Sequence, residues 1–512
     1  MKIRYPVFLL YLLLIFSCGE KQKPIPKTGK VSITGIELRA AGSPSGRTNA
    51  TFQWEHVFNN QLQLTFTESS GESFNIALDP NDFSTAYSID LPFGTYEYSG
   101  ESNAQPISTS LPVSVSGQLI VDNAVETLTI KASSDYGLFT FSKSNLSGSP
   151  KILEPESGVF SSTSDFYYSY VKDDLLLKAE LDLSNGNSFR IGTASRGFTH
   201  QHYQISSSAT EPVDTFQPND FEISAERLIL GESGYPANLY PYQLAELNPA
   251  TNETSGLQWI QGRIFSINDS GNSAEIQEIN AETGALVRTI KVTNVPNVDW
   301  EDLTASPTHL FIGDFGNNAG NRTDLKILKI SIPALLVQDE VAADVIEFSY
   351  PDQSDFSGAN VDHNFDCEAM IFWENQLHLF SKNRGDGQTK HYTLSTTVDK
   401  QIATLTETFD AKGLITGADV TPEGKHVVLL GYENQGVSSR CFIWTFASVS
   451  SSVFSKEGNQ FFLGSPASLG QTEGIAIDPD REVTISGERI SFGSLTVPPK
   501  VFKVDLAGIF TP

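Results

Sequence analysis

The chain has 512 residues, a formal net charge of −27 and three cysteines. So acidic a chain, without a basic run anywhere, repels nucleic acid and anionic lipid headgroups, which excludes nucleic-acid binding; three cysteines at this length exclude a disulfide framework. The length exceeds what one core serves, and 39 glycines and 25 prolines among plentiful β-branched and aromatic residues predict two or three domains of short strands joined by turns.

The N-terminus carries Lys2 and Arg4, then an apolar run over 7–16 that closes on Ile15-Phe16-Ser17-Cys18-Gly19. A spanning helix needs roughly 20 apolar residues, and this run has about half that. It reads as an export signal over 1–17. The tetrad ending at Cys18 resembles the bacterial lipobox, which implies a lipidated Cys18 and a membrane partner; an ordinary signal peptide cut nearby stays open as the alternative. The expected address is the bacterial cell envelope, on the outer membrane or cell surface. Residues 18–30 read as a tether. Cys367 and Cys441 are expected to be buried and reduced.

Strands are predicted over 31–39, 51–58, 61–67, 73–78, 87–98, 108–121, 126–132 and 136–142. Alternation is plain at 61–67, which sets Leu62, Leu64 and Phe66 on one face. The sequence Leu91-Pro92-Phe93-Gly94-Thr95-Tyr96 resembles a turn of immunoglobulin-like and transthyretin-like sandwiches and predicts a hairpin. A second strand-rich stretch contains Ser184-Asn185-Gly186-Asn187 between alternating runs, a hairpin signal. Residues 31–206 are thus expected to form one or two β-sandwiches, followed by a polar, proline-bearing linker over 207–224.

From 225 to 512 an internal repeat predicts a β-propeller. A short acidic or glycine-containing motif leads into an apolar strand at Ser255-Gly256, Glu301-Asp302, Glu368-Ala369, Thr416-Gly417 and Glu473-Gly474. Recurrence every 50 or so residues, with several strands each time, is the pattern of propeller blades. The longest interval predicts a loop insertion between Ile330 and Asp366. The last repeat is one strand short, and residues 242–247 are expected to supply that strand and close a ring of five blades, with six as the alternative. The fold class is therefore all-β, a sandwich region followed by a propeller.

Equivalent positions of a cyclic repeat share one face of the disc. One ring of polar positions there includes Asp299, Glu301, Asp302, Asp366, Glu368, Asp419 and Glu473; a second includes Asp269, Asp314, Lys382, Glu433, Glu488 and Arg489, with Arg384 just beyond Lys382. Clustered carboxylates suit a hard cation, which takes about six to eight oxygens. The expected metal ligands are Glu301, Glu368, Glu473, Asp269 and Asp314, with Ca²⁺ or another divalent ion as cofactor. Lys382, Arg384 and Arg489 are expected to meet an anion. An acid at a blade start can instead accept backbone N–H bonds from the neighbouring blade. His363 and the pair His200 and His202 are lesser candidates for a base or metal ligand.

Through Asn-Asp-Ser-Gly, Asp-Trp-Glu-Asp-Leu, Gly-Asp-Phe-Gly-Asn-Asn and Gln-Thr-Glu-Gly-Ile, the repeats over 253–506 resemble propeller lipoproteins of Bacteroidota without an assigned activity. They are more distantly similar to esterase-like phytase and gluconolactonase-type propellers, whose Glu-Gly at the first strand supplies a metal ligand. Only Glu473-Gly474 matches that pair in full.

Two functions follow as expectations. One is a membrane-anchored binding or interaction module for a small molecule, glycan or protein, with a divalent cation at the channel mouth. The other is a metal-dependent hydrolase of esters or phosphoesters. Whether the chain is an enzyme stays open, because Gly-x-Ser-x-Gly, His-Glu-x-x-His, the P-loop and Cys-x-x-Cys are all missing.

Overall fold

The computed structural model describes residues 27–38, 50–85, 87–218, 220–359, 362–447 and 452–510. Cys18, the signal and most of the tether lie outside them. No helix among the described residues is long and apolar enough to cross a membrane. The chain is all-β, as its patterning predicts, and falls into two compact units.

The described residues of the first unit are 27–38, 58–85, 87–103 and 113–133. Its sheet runs in the order Ser73–Leu78, Leu62–Glu68, Gly94–Glu101, Ser114–Val121, Val125–Ser133, Thr28–Leu38, Tyr87–Pro92. Leu62, Leu64 and Phe66 are fully buried, as alternation requires. The expected hairpin at Pro92-Phe93-Gly94 is instead a crossing. Tyr87–Pro92 pairs with Thr28–Leu38, whereas Gly94–Glu101 pairs with Leu62–Glu68 and Ser114–Val121. The Tyr96 hydroxyl donates to the Pro92 carbonyl at 2.8 Å across that corner.

The described residues of the second unit are 50–57, 104–112, 134–218, 220–359, 362–447 and 452–510. Two sheets come first: Lys151–Glu154, Leu176–Asp182 and Ser188–Ala194 in one, and Ser161–Ser162, Phe166–Lys172, Tyr136–Ser142, Thr199–Ser206 and Glu222–Ile229 in the other. The Asn185-Gly186 hairpin forms, joining Leu176–Asp182 to Ser188–Ala194. Residues 207–221 lead back into the second sheet, because Glu222–Ile229 pairs in parallel with Thr199–Ser206.

Five propeller-like sheets of four main strands follow, here called blades 1 to 5. Their inner strands are Thr254–Ile260, Trp300–Ala305, Cys367–Trp373, Leu414–Val420 and Gln471–Ile477. These adjoin in chain order, and the fifth lies against the first. Tyr242–Glu246 pairs with Lys500–Asp505 as the outer strand of blade 5, which joins the two ends of the ring. The expected insertion after Ile330 is partly strand: Asp344–Ser349 is the outer strand of blade 2, and Glu340–Val341 extends blade 1.

One apolar core joins the two preceding sheets to blades 4 and 5. Phe139, Phe141, Leu177 and Phe189 share it with Val428, Leu430, Ile475 and Phe502. Cys367 and Cys441 are buried and free; burial pushes the Cys441 thiol up to about 12.

Candidate functional site at the channel mouth

Each inner strand opens with a β-bulge. The ladder to the second strand skips a residue between Trp300 and Asp302, Cys367 and Ala369, Ile415 and Gly417, and Thr472 and Gly474, and skips between Thr254 and Leu257 in blade 1. A bulge takes its extra residue out of the pairing and re-aims the side chain. The bulged residues are Ser255, Glu301, Glu368, Thr416 and Glu473, the recurrent motif positions. In blades 1 and 4 the bulged hydroxyl bonds the neighbouring blade: Ser255 donates to the Glu301 carbonyl, and Thr416 donates to the Thr472 carbonyl at 2.7 Å. In the other three blades the bulge presents a glutamate. Adjacent inner strands approach so closely here that a Cβ on Gly474 would lie 2.3 Å from the Ser255 carbonyl oxygen.

Glu301, Glu368 and Glu473 line one small cavity of about 160 Å³ with Asp269, Lys382, Arg384, Gln471 and Glu488. Asp269 and Glu301, on this cavity, make a carboxylate-rich corner with the adjacent Asp299, each offering an oxygen within 4.8 Å of the others. Burial, then the charges of Asp269 and Asp366, pushes the Asp299 carboxyl up to about 6. Burial and the neighbouring carboxylates hold Glu301 well above its ordinary range. Gly316, from Gly-Asp-Phe-Gly, lies over this corner: a Cβ there would fall 2.1 Å from Glu301 Oε1 and 2.6 Å from the Asp299 carboxylate.

The same cavity is lined by two cations, Lys382 and Arg384. Lys382 is 3% exposed; its ammonium contacts Glu368 Oε2 and sits 5.3 Å from the Tyr432 ring centre. Burial alone would lower this ammonium, but Glu368 and further negative groups hold it well above its usual value. Arg384 bonds Asp366 at 3.1 Å and approaches Glu368 at 3.8 Å. Glu473 takes a hydrogen bond from Gln471 at 2.5 Å on one oxygen; its other oxygen is buried with no partner. Burial, then the charges of Glu473 and Asp269, pushes Glu488 up to about 9, so this carboxyl is protonated at neutral pH.

Two of the expected site residues sit elsewhere. Asp314 is fully buried in blade 2, bonded by Arg322 at 2.9 Å and paired with Lys326 at 3.4 Å, and it accepts the Asp299 N–H. Its charge is already balanced there, and it does not line the cavity. Arg489 is exposed, and its N–H donates to the Asn252 carbonyl. Its neighbour Glu488 faces the cavity instead. Asp302 and Asp419 serve the blades: Asp302 accepts the Met370 N–H and Asp419 the Ile477 N–H, both at 2.7 Å and both from the following blade. His363 bonds the Asn318 carbonyl and lines a different depression. His200 and His202 both bond the Thr140 hydroxyl at 2.8 Å, and His202 also meets Asp214 at 3.1 Å, so the pair belongs to a core network. Sequence reasoning set Glu488 on this face without a role and missed Gln471 as a cavity residue. Register would have found it, since Gln471 pairs with Glu488 at the strand ends that open on the cavity.

No family model matches the chain, and no curated protein matches it in sequence. Among solved structures it is similar to hydrazine synthase of Kuenenia stuttgartiensis (11% identity, TM-score 0.27, 46% of this chain and 55% of that one). It is also similar to a candidate 6-phosphogluconolactonase from Bacteroides uniformis (10%, 0.26, 64% and 78%). A third is a protein of unknown function from Dyadobacter fermentans (8%, 0.30, 88% and 97%). The matched part spans little more than half of the hydrazine synthase chain.

Proposed function

We propose that this is an envelope lipoprotein, anchored through Cys18, whose propeller is a binding module that holds a divalent cation at the channel mouth and through it a small molecule, glycan or protein ligand. The carrying observation is the corner of Asp269, Asp299 and Glu301, three carboxylates within 4.8 Å of one another in a partly to fully buried setting. Like charges that close raise one another's pKa unless a cation neutralises them. Lys382 is paired with Glu368 and Arg384 with Asp366, and none of the three corner carboxylates has an ion pair among the described residues. Hard oxygen donors of this kind suit Ca²⁺. The free oxygen of Glu473, on the same cavity, is a further donor.

Calcium should raise the melting temperature by mass action, and Glu301→Gln combined with Glu473→Gln should remove the rise. A melting temperature indifferent to both calcium and chelator would leave these acids as structural acceptors. The anchor is tested apart: palmitate should label the wild-type chain in the membrane fraction and leave Cys18→Ser unlabelled.

Glu488 favours a second reading, a metal-dependent hydrolase of esters or phosphoesters. A carboxyl held up to about 9 is a proton donor at neutral pH, and it lies on the cavity with the carboxylate corner. Chelator-sensitive turnover across an ester and phosphoester panel, lost in Glu488→Gln, would support it; no turnover leaves the binding reading.

A further inference from the structure

A larger cleft of about 600 Å³ opens in the second unit, lined by the two preceding sheets, the segment 238–243 and the Lys500–Asp505 strand of blade 5. One wall is a face of the parallel ladder between Thr199–Ser206 and Glu222–Ile229. Its register sets Thr199 beside Glu222, Gln201 beside Ser224 and Tyr203 beside Glu226, and all six line the cleft. Alternation sends His200 and His202 to the other face, into the network with Thr140.

Among the described residues, Arg190, Lys503 and Asp505 of this cleft are ion-paired, Arg196 and Glu222 are exposed to solvent without an ion pair, and Glu226 stands apart as the half-buried charge. Arg190 bonds Glu180 at 3.1 Å and Asp505 at 3.3 Å, Lys503 meets Glu482 at 2.9 Å, and the Tyr242 hydroxyl also donates to Glu482 at 2.9 Å. Glu226 is half-buried and has no hydrogen-bond or ion-pair partner among the described residues. Burial raises its carboxyl; Tyr203 is its partner in the ladder, and Tyr240 lines the same cleft. Tyr203 stacks on Phe141 with ring centres 5.4 Å apart, which fixes its ring. Tyr240 is 44% exposed and stands at the rim.

We propose that this cleft is a second ligand site, separate from the channel mouth, which takes an organic ammonium group beside Glu226, with Tyr203 and Tyr240 as its aromatic flank. A carboxylate without a counter-ion supplies the charge that an ammonium lacks, and aromatic rings attract an ammonium through their quadrupoles. Tyrosine suits a site that one ligand end must leave wet, because its hydroxyl keeps a polar contact while the ring packs. The cleft is several times larger than one ammonium. Its remaining length follows Ser188–Ala194, the edge strand of the three-stranded sheet, whose outer side pairs with no strand among the described residues. The ligand therefore carries its cation on a larger body, as an amino sugar, a polyamine or a lysine-bearing segment does.

Titration calorimetry on the full chain with choline and with n-butylammonium tests this, using 3,3-dimethyl-1-butanol as the neutral isostere of choline. At least one cation should bind with a Kd on the order of 1 mM, the isostere should not bind, and Glu226→Gln and Tyr240→Ala should each weaken binding about tenfold or more. The calcium response at the channel mouth should survive both substitutions, and unchanged melting temperatures confirm that the variants fold. Should a variant misfold, Tyr240→Phe is expected to keep binding and Glu226→Asp to weaken it. Equal binding of the isostere, full binding by Glu226→Gln, or no binding of either cation overturns the proposal.

Discussion

At the scale of single residues, the channel mouth is a set of acids that hold their protons too tightly. Asp299 is raised to about 6 and Glu488 to about 9 there, and Asp419, between blades 4 and 5, is raised to about 7, in each case first by burial. In the folded chain these groups bind more protons than an unfolded Asp or Glu does, so between about pH 4 and 9 they make stability fall as pH rises. Glu407 works the other way. His391, Ser452 and the Val453 N–H overcome burial and hold it at about 2, so its contribution is present above its unfolded value and lost as pH falls toward 2. His378, lowered to about 4 by burial, also loses stability for the fold as pH drops below about 6.5. In chelator, the melting temperature should therefore peak near pH 6 and decline toward 9, and calcium should flatten the alkaline limb, because a bound cation favours the ionised acids. A decline unchanged by calcium would remove the ion from the account. Asp299→Asn should stabilise the metal-free protein by about 1–2 kcal/mol in urea unfolding while weakening the calcium response.

At the scale of elements, the bulge decides what each blade contributes. Inner-strand acids of blades 2 and 4, Asp302 beside its bulge and Asp419 three residues past its own, tie blade to blade, and Asp419→Ala would orphan the Ile477 and Val420 N–H groups. A loss of about 2–3 kcal/mol in urea unfolding is expected; less than about 0.5 kcal/mol would mean that water replaces the carboxylate. Glu407→Gln should cost about 2 kcal/mol above pH 5, because Glu407 holds Ser452 Oγ at 2.7 Å and the Val453 N–H at 2.9 Å. Much of this was legible in the sequence. The motif positions Glu301, Glu368 and Glu473 recur before apolar strands, and a cyclic repeat must bring them to one face. The bulge itself was not legible, since one extra residue in a short run leaves composition and spacing unchanged. Residues 51–58 alternate like a strand, yet only Phe52 and Phe58 form bridges among the described residues, and Trp54 and His56 pack on Tyr168 and Tyr170. Asp314 and Arg489 share the ring of turn positions, but which neighbour faces the channel depends on local pairing that spacing does not encode.

At the scale of the whole chain, the fold class and the closing strand could be read from the repeats, whereas the shared core could not. Phe139, Leu177 and Phe189 read as the inside of a sandwich, and nothing in their local pattern shows that Val428, Leu430, Ile475 and Phe502 lie against them. A fragment starting at residue 248 should therefore lack both its closing strand and the cover of blades 4 and 5. It is expected to aggregate or lose near-ultraviolet circular dichroism, and a soluble fragment with native side-chain signals would show that the blades stand alone. The central claim, that the acids at the channel mouth hold a divalent ion, is tested most directly by calcium titration calorimetry in buffers of different ionisation enthalpy. Because Asp299, Glu301 and Glu488 sit above their ordinary pKa values, binding must displace protons. One ion per chain with about one or more protons released near pH 6.5, both lost in Glu301→Gln with Glu473→Gln, is the predicted result; no heat, or binding without proton release that survives the double substitution, would contradict it.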